Sequence, residues 1–190
     1  MVNGDGSELF MESAYPHLLS RGKMGQIELD NRLVMAPMGT LNGDAAGYVT
    51  ERAINFYRDM AKGGIALVFV ESTYPDTKCS KSEENQLGLY EDGQVTRMRV
   101  LAETIQDQGA RAILQLCHIG KQISLADKIP SLGPSSMVEM LGGVYPLKIT
   151  GMTRDEIHDL VNDFATAAYR AKMAGFDGVE IHGAIDHLIN

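Results

Sequence analysis

Apolar and polar positions repeat in three units along the chain, each made of an amphipathic helix, a glycine and a short apolar strand. In the second unit Met98, Leu101 and Ile105 share one helical stripe, which stops at Gly109 before an uninterrupted apolar run. In the third unit Thr153 and Glu156 form a capping box that marks the start of the helix. The predicted helices are 50–62, 92–108 and 153–174, and the predicted strands are 32–38, 65–71, 111–117 and 179–182.

Strands that are apolar on both faces and separated by helices predict an α/β fold with a buried parallel sheet. Right-handed crossovers then leave two arrangements, a doubly wound sheet and a closed barrel. No glycine-rich dinucleotide fingerprint follows any strand, which disfavours the doubly wound dinucleotide fold. Four strands and three helices cannot close a barrel that needs eight of each. A short hairpin is predicted at 25–30, before the first strand.

Long connections follow the first, second and third strands, at 39–49, 72–91 and 118–152. All three leave the carboxyl ends of their strands, which is the face where barrel enzymes carry their active sites. Loops longer than about 12–15 residues are usually functional in compact domains. The sequence therefore predicts one functional face, at the carboxyl ends of the strands.

Composition narrows the function classes. The 190 residues carry a net charge of -8, which argues against nucleic-acid or membrane-surface binding because either needs clustered basic residues. No apolar run reaches the roughly 20 residues of a membrane span, and the first residues are unlike a signal peptide. Cys79 and Cys117 are far apart, so we predict no metal site and a reducing, cytoplasmic location.

Polar side chains stand at the predicted strand ends. Gln115 lies inside an apolar strand, where an unpaired amide would cost about 1–3 kcal/mol, so it must find partners. Glu180 and His182 share one face of the last strand by the alternation of side chains along a strand, and His187 follows after five residues.

Four segments of the chain together resemble the old yellow enzyme family of NADH:flavin oxidoreductases. They are NRLVMAPMG at 31–39, AKGGIALVFVE at 61–71, QLCHIGK at 115–121 and AGFDGVEIHGA at 174–184. The form of the first segment is similar to the branch of 2,4-dienoyl-CoA reductase, NADH oxidase and bile-acid-inducible oxidoreductases. The resemblance implies a TIM (β/α)8 barrel that holds FMN at its mouth. On this basis we expect a flexible N-terminus at 1–14 and the first four β/α units of the barrel, its N-terminal half, at 15–190.

The same resemblance assigns candidate roles to individual residues. His182 matches the family's substrate anchor and His118 a residue on the substrate side, whereas Ile185 stands where the family has a second oxygen-binding side chain. His187 stands where the family usually has a tyrosine acid, so we predict His182 and His187 as catalytic residues. The expected flavin contacts are Pro37, Met38, Gly39, Ser72 and Gln115.

The expected activity is the transfer of hydride from NADH or NADPH, by way of FMN, to an activated C=C bond. The alternatives are an amine-dehydrogenase-like flavoenzyme of the same fold and a truncated, non-catalytic half-barrel. A small-molecule substrate and a homo-oligomeric full-length protein are expected. In the long branch a 4Fe-4S cluster and FAD belong to a following C-terminal part. Two unpaired sheet edges predict that 190 residues alone are unstable or oligomeric and hold FMN weakly.

Overall fold

The structure, a computed structural model, describes residues 14–121, 131–141 and 144–190. The predicted flexible segment 1–14 therefore lies almost wholly outside the described residues. The strands are β1 (Gly22–Met24), β2 (Ile27–Leu29), β3 (Val34–Met35), β4 (Leu67–Thr73), β5 (Arg111–Leu116), β6 (Leu132–Gly133), β7 (Met137–Leu141), β8 (Tyr145–Gly151) and β9 (Gly178–Ile181). The helices are α1 (Glu51–Lys62), α2 (Val95–Gln106) and α3 (Arg154–Met173), and a 3-10 turn at Asp92–Gln94 leads into α2.

The central sheet is parallel and follows chain order, β3-β4-β5-β9. Consecutive strands that pair in this way, each joined to the next by a helix, are the repeating unit of a (β/α)8 barrel. The four β/α strands that the sequence predicts are thereby confirmed, and the chain is part of such a barrel. Among the described residues no helix is both long enough and apolar enough to cross a bilayer.

Side chains alternate between two cores along the strands. Val68, Val70 and Leu114 point outward and pack with the apolar stripes of the three helices. Leu67 and Ile113 point to the opposite side, where they pack with Leu29 of the hairpin. Each fully buried aliphatic side chain contributes about 1.5–3 kcal/mol, so burial on both faces fixes the register of the strands.

The first predicted strand and the second predicted helix are shorter than expected. Strand 32–38 forms a ladder only at Val34 and Met35. Pro37 has no N–H to donate to a ladder, and the chain beyond it turns toward Glu71. Helix 92–108 begins as the 3-10 turn and becomes α-helical from Val95.

Two elements outside the parallel sheet position the loops. The predicted hairpin is present and extends over both sides of Gly25, whose φ of 58° suits glycine at the turn. The connection 118–152 was predicted as a loop, and this was wrong, because β6, β8 and β7 form a three-stranded sheet within it. Leu147 and Ile149 are buried between exposed Lys148 and Thr150, a period-two pattern typical of a strand.

Candidate functional site

The carboxyl ends of β5 and β9 bring the predicted glutamine and the first predicted histidine into contact. The sheet register pairs Gln115 with Glu180. The Gln115 Nε2 atom lies 3.2 Å from His182 Nδ1 and 3.4 Å from a Glu180 oxygen. The amide is 4% exposed, so these contacts satisfy a polar group that burial would otherwise penalise. Because an amide NH2 donates, His182 Nδ1 accepts, and the neutral ring carries its proton on Nε2.

A cysteine that the sequence analysis did not select completes a cluster with the two histidines. Cys117 Sγ lies 2.8 Å from His187 Nδ1, and the His182 and His187 ring centroids are 4.7 Å apart at an interplanar angle of 77°. Burial raises the pKa of the Cys117 thiol, and a hydrogen bond with Ser72 opposes that shift. Burial, together with the neighbouring His182, lowers the pKa of His187. We call Cys117, His182 and His187 the Cys-His-His cluster.

The last residues of the chain are held against the end of β5. The Leu188 N–H donates to the carbonyl of His118 at 3.1 Å. A side chain at Gly120, which has a φ of 65°, would place its Cβ 2.7 Å from Leu188 N, so only glycine permits this approach. Ile185 and Asp186 both have left-handed backbone angles. This turn directs the His187 ring back toward Cys117.

The flavin-side prediction Pro37, Met38 and Gly39 lies at the end of β3, where the surface is open. The Met38 side chain is 56% exposed, and a Cβ built at Gly39 would have no atom within 4 Å. Room for a planar group therefore exists beside this segment. Ser72 lies within β4, and its Oγ accepts a hydrogen bond from Gln86 Nε2 at 2.9 Å.

Glu71, which lies within β4, was not among the predicted site residues, and its side chain is fully buried. Its carboxylate accepts hydrogen bonds from the Thr40 N–H, from Thr40 Oγ1 at 2.6 Å and from the Leu41 N–H at 3.2 Å. Burial raises the pKa of Glu71, and the bonds from Thr40 and Leu41 oppose that shift. Glu71 thereby fixes the loop that follows Pro37–Gly39. A carboxylate at the end of an apolar strand was the only signal for it.

His118 does not join the Cys-His-His cluster through its side chain. The ring is buried, its Nδ1 accepts from the Gly120 N–H at 3.0 Å, and its Nε2 lies 3.3 Å from Cys79 Sγ. Asp76 Oδ2 is 3.9 Å from the same nitrogen. Burial lowers the pKa of His118. A substrate contact by this residue stays a prediction, and these contacts describe a side chain that is occupied in packing the loop after β4.

A cavity of about 180 Å³ adjoins His187 on the side of the three-stranded sheet. Met137 and Ile149 supply part of its apolar wall, and Lys121 lies at its rim. The Lys121 Nζ atom is 2.9 Å from a Glu139 oxygen and 3.5 Å from an Asp186 oxygen. The elements that sequence analysis treated as loop therefore form a wall beside the candidate site.

Comparison with known proteins agrees with this architecture. The model of the NADH:flavin oxidoreductase / NADH oxidase family matches residues 22–190. An NADH oxidase of Thermoanaerobacter brockii is 34% identical over 177 residues, which are 92% of this chain and 27% of that protein. An NADPH dehydrogenase of Listeria welshimeri is 36% identical over 176 residues, which are 91% of this chain and 50% of that protein. The chain thus spans half or less of the length of these relatives.

Among solved structures, the old yellow enzyme from Pichia sp. AKU4542 superimposes with a TM-score of 0.80. The two are 26% identical, and the match covers 90% of this chain and 47% of that one.

Proposed function

The chain belongs to the NADH:flavin oxidoreductase / NADH oxidase family, and from this premise we propose that its protein passes hydride from NADH or NADPH to an electron-poor C=C bond through bound FMN. The observation that carries the proposal is the contact between Gln115 and His182 at the mouth of the barrel. The contact supports the proposal because it joins the side chain proposed to bind flavin to the side chain proposed to bind substrate.

The residues near the mouth suit a flavin ring. Gln115 offers both a donor and an acceptor, which matches the mixed polar edge of an isoalloxazine. The open space beside Gly39 and the exposure of Met38 support a planar ring lying along 37–39. Ser72 is small, and the hydrogen bond from Gln86 Nε2 fixes its hydroxyl, so this side chain leaves room for the ring. When bound, FMN supplies the hydride.

His182 is proposed to anchor the carbonyl oxygen of the substrate. Because Gln115 donates to Nδ1, the proton on Nε2 is free to donate to that oxygen. A hydrogen bond aimed at developing enolate charge is worth about 2.7–4 kcal/mol. Ile185 offers no side-chain donor at the neighbouring position. The anchor on this chain is therefore one imidazole rather than a pair.

His187 is proposed to deliver the proton that completes the reduction. The short contact between its Nδ1 and Cys117 Sγ suggests a relay in which the thiol proton moves to Nδ1 as Nε2–H protonates the α-carbon. Solvent then reprotonates Nε2 as the Nδ1 proton returns to the Cys117 thiolate. The cavity beside His187 provides apolar walls for the body of the substrate.

The test is a two-stage anaerobic experiment on the complete protein reconstituted with FMN. NADH or NADPH should bleach the flavin absorbance, and an activated alkene should restore it. His187→Phe should leave the first stage unchanged and slow the second about a hundredfold, the range of general acid catalysis. His158→Gln, an exposed change on α3, serves as the matched control.

Four results would contradict the proposal. The reductase proposal is wrong if the flavin stays oxidised with both NADH and NADPH, or if an alkene does not reoxidise the reduced flavin. Bleaching by an amine alone supports the amine-dehydrogenase alternative. Failure of the protein to retain any flavin supports a non-catalytic half-barrel.

A further inference from the structure

The Cys-His-His cluster has a geometry that the reductase chemistry does not require. Its three candidate ligand atoms, one from each side chain, all lie within 4.8 Å of one another. Cys117 is buried and the two histidines are half-buried. A flavin-dependent reduction needs the histidines to face the substrate, but it does not need a thiol beside them. We propose that this cluster is a binding site for Zn²⁺.

The distances fit tetrahedral coordination after a small adjustment. With Zn–S near 2.3 Å and Zn–N near 2.0–2.1 Å, ligand atoms around zinc are separated by about 3.3–3.6 Å. The Cys117 Sγ to His187 Nδ1 contact of 2.8 Å is shorter than this, whereas the outer limit of the cluster is 4.8 Å. The Cys117 Sγ to His187 Nδ1 pair must therefore open by about 0.8 Å, and a pair at the outer limit must close by about 1.2–1.5 Å. Side-chain rotation supplies such a shift without moving the sheet.

The surroundings orient two of the ligands as metal sites generally do. With a metal on His182 Nε2 the ring carries its proton on Nδ1, and the Gln115 amide, whose Nε2 lies 3.2 Å from Nδ1, turns so that its oxygen accepts that proton. Ser72 hydrogen-bonds the Cys117 side chain. Cys117 binds as a thiolate, and its proton leaves to solvent. Thiolate and imidazole are ligands that zinc accepts readily, and three protein ligands leave a fourth position open for water.

The site arises from the fold and not from sequence spacing. No metal site was predicted because the two cysteines are far apart in the sequence, but this cluster needs only one cysteine. β5 supplies the residue before Cys117, β9 ends next to His182, and the tail held by Gly120 returns His187. Among the residues that the structure describes, this is the one such group of three.

Occupancy by zinc has a defined consequence for the proposed reaction, and this part rests on the proposed function. The metal engages His182 and His187, so the substrate anchor and the proton relay are unavailable together. Zn²⁺ should therefore block alkene reduction and leave NAD(P)H bleaching of the flavin intact. The binding itself is independent of turnover and can be measured without any substrate.

The experiment is a titration of the complete protein with Co²⁺, a spectroscopic substitute for Zn²⁺. One equivalent should produce a thiolate-to-cobalt charge-transfer band in the near ultraviolet, and Zn²⁺ should displace it. Cys117→Ser should abolish the band. His187→Phe, a change at a half-buried position that keeps the thiol, should weaken Co²⁺ binding at least tenfold. Cys79→Ser and His158→Gln are the matched controls and should change neither.

The proposal is overturned if the wild-type protein gives no charge-transfer band, or if the band survives Cys117→Ser. A band lost with Cys79→Ser alone would assign the metal to a different place. Circular dichroism confirms that each variant is folded, and His187→Phe decides the matter should Cys117→Ser not fold. Normal flavin bleaching without cobalt binding would refute the metal site alone and leave the reductase standing.

Discussion

Replacing Glu71 with leucine tests whether one buried carboxylate holds the flavin-side loop. The carboxylate receives two hydrogen bonds from Thr40 and one from Leu41. Both backbone N–H groups donate to the same oxygen, Oε2, so glutamine could keep them, whereas leucine removes every acceptor. The N–H groups of residues 40 and 41 then lose their buried partner.

The magnitude follows from the contacts that change. Losing a hydrogen bond to a charged acceptor costs about 1.5–3 kcal/mol, and leaving a buried N–H without a partner costs about 1–3 kcal/mol. Removal of a buried charge offsets part of this sum, because burial disfavours the ionised carboxylate. We therefore expect Glu71→Leu to lower the free energy of unfolding by about 2 kcal/mol at neutral pH. Since Leu41 has a left-handed φ of 53°, the freed loop should relax away from it.

Urea denaturation gives the stability change, and FMN titration gives its effect on the site. A loop that loses its anchor should weaken FMN binding about tenfold, which corresponds to 1.4 kcal/mol. Thr40→Val removes only the hydroxyl bond and should cost about 1 kcal/mol. Glu103→Gln, on the exposed face of α2, should change neither quantity. Wild-type stability and wild-type FMN affinity in Glu71→Leu would refute the reasoning.

Other substitutions probe the fold and the same carboxylate. Gly47→Ala should lower the free energy of unfolding by at least about 2 kcal/mol, because its Cβ would lie 2.5 Å from Tyr74 Oη. Gly64→Ala meets no atom within 4 Å and should cost only about 1 kcal/mol for its left-handed φ. Equal costs of the two substitutions in urea unfolding would contradict this. Thr153→Ala should cost about 1 kcal/mol by removing the capping box of α3, and an unchanged denaturation midpoint would rule that role out. Burial raises the folded pKa of Glu71 above its ordinary 4.5, so its stabilisation is full below pH 4.5 and is lost as the pH rises through the folded pKa. The stability gap between wild type and Glu71→Leu should therefore shrink from pH 4.5 to pH 8, and a widening gap would show that the sign is wrong.

The repeating part of the fold was accessible from sequence because burial on both faces leaves an unmistakable pattern. Leu114 and Leu116 pack against the helices, and Ile113 packs on the opposite face of the sheet, toward the barrel interior. The sheet β6-β8-β7 was not predicted because its alternation of apolar and polar residues is short and Pro146 interrupts it, although Leu147 and Ile149 follow that alternation.

The site was predicted only where chemistry and strand position coincide. Gln115 and His182 stand at strand ends and contact each other as polar residues there should. Cys117 was missed because a cysteine after an apolar strand is ordinarily a packing residue. Its contact with His187 depends on a turn in which Ile185 and Asp186 are both left-handed. The residue types alone do not predict this turn. The role of Glu71 depends on the path of the chain at residues 40 and 41, which is set by tertiary structure and not by the local sequence.

Because Glu71 holds the flavin-side loop mainly through backbone N–H groups, the fold of the loop does not depend on which side chains the loop carries. Two of its three hydrogen bonds come from backbone N–H groups, which every residue except proline carries. Met38 and Leu41 are 56% and 40% exposed, so their side chains are not needed for the fold of the loop. A combinatorial library that varies positions 38 and 41 while keeping Glu71 should retain folded members at high frequency. The mouth of this barrel can thus be re-surfaced for new substrates without redesigning its backbone.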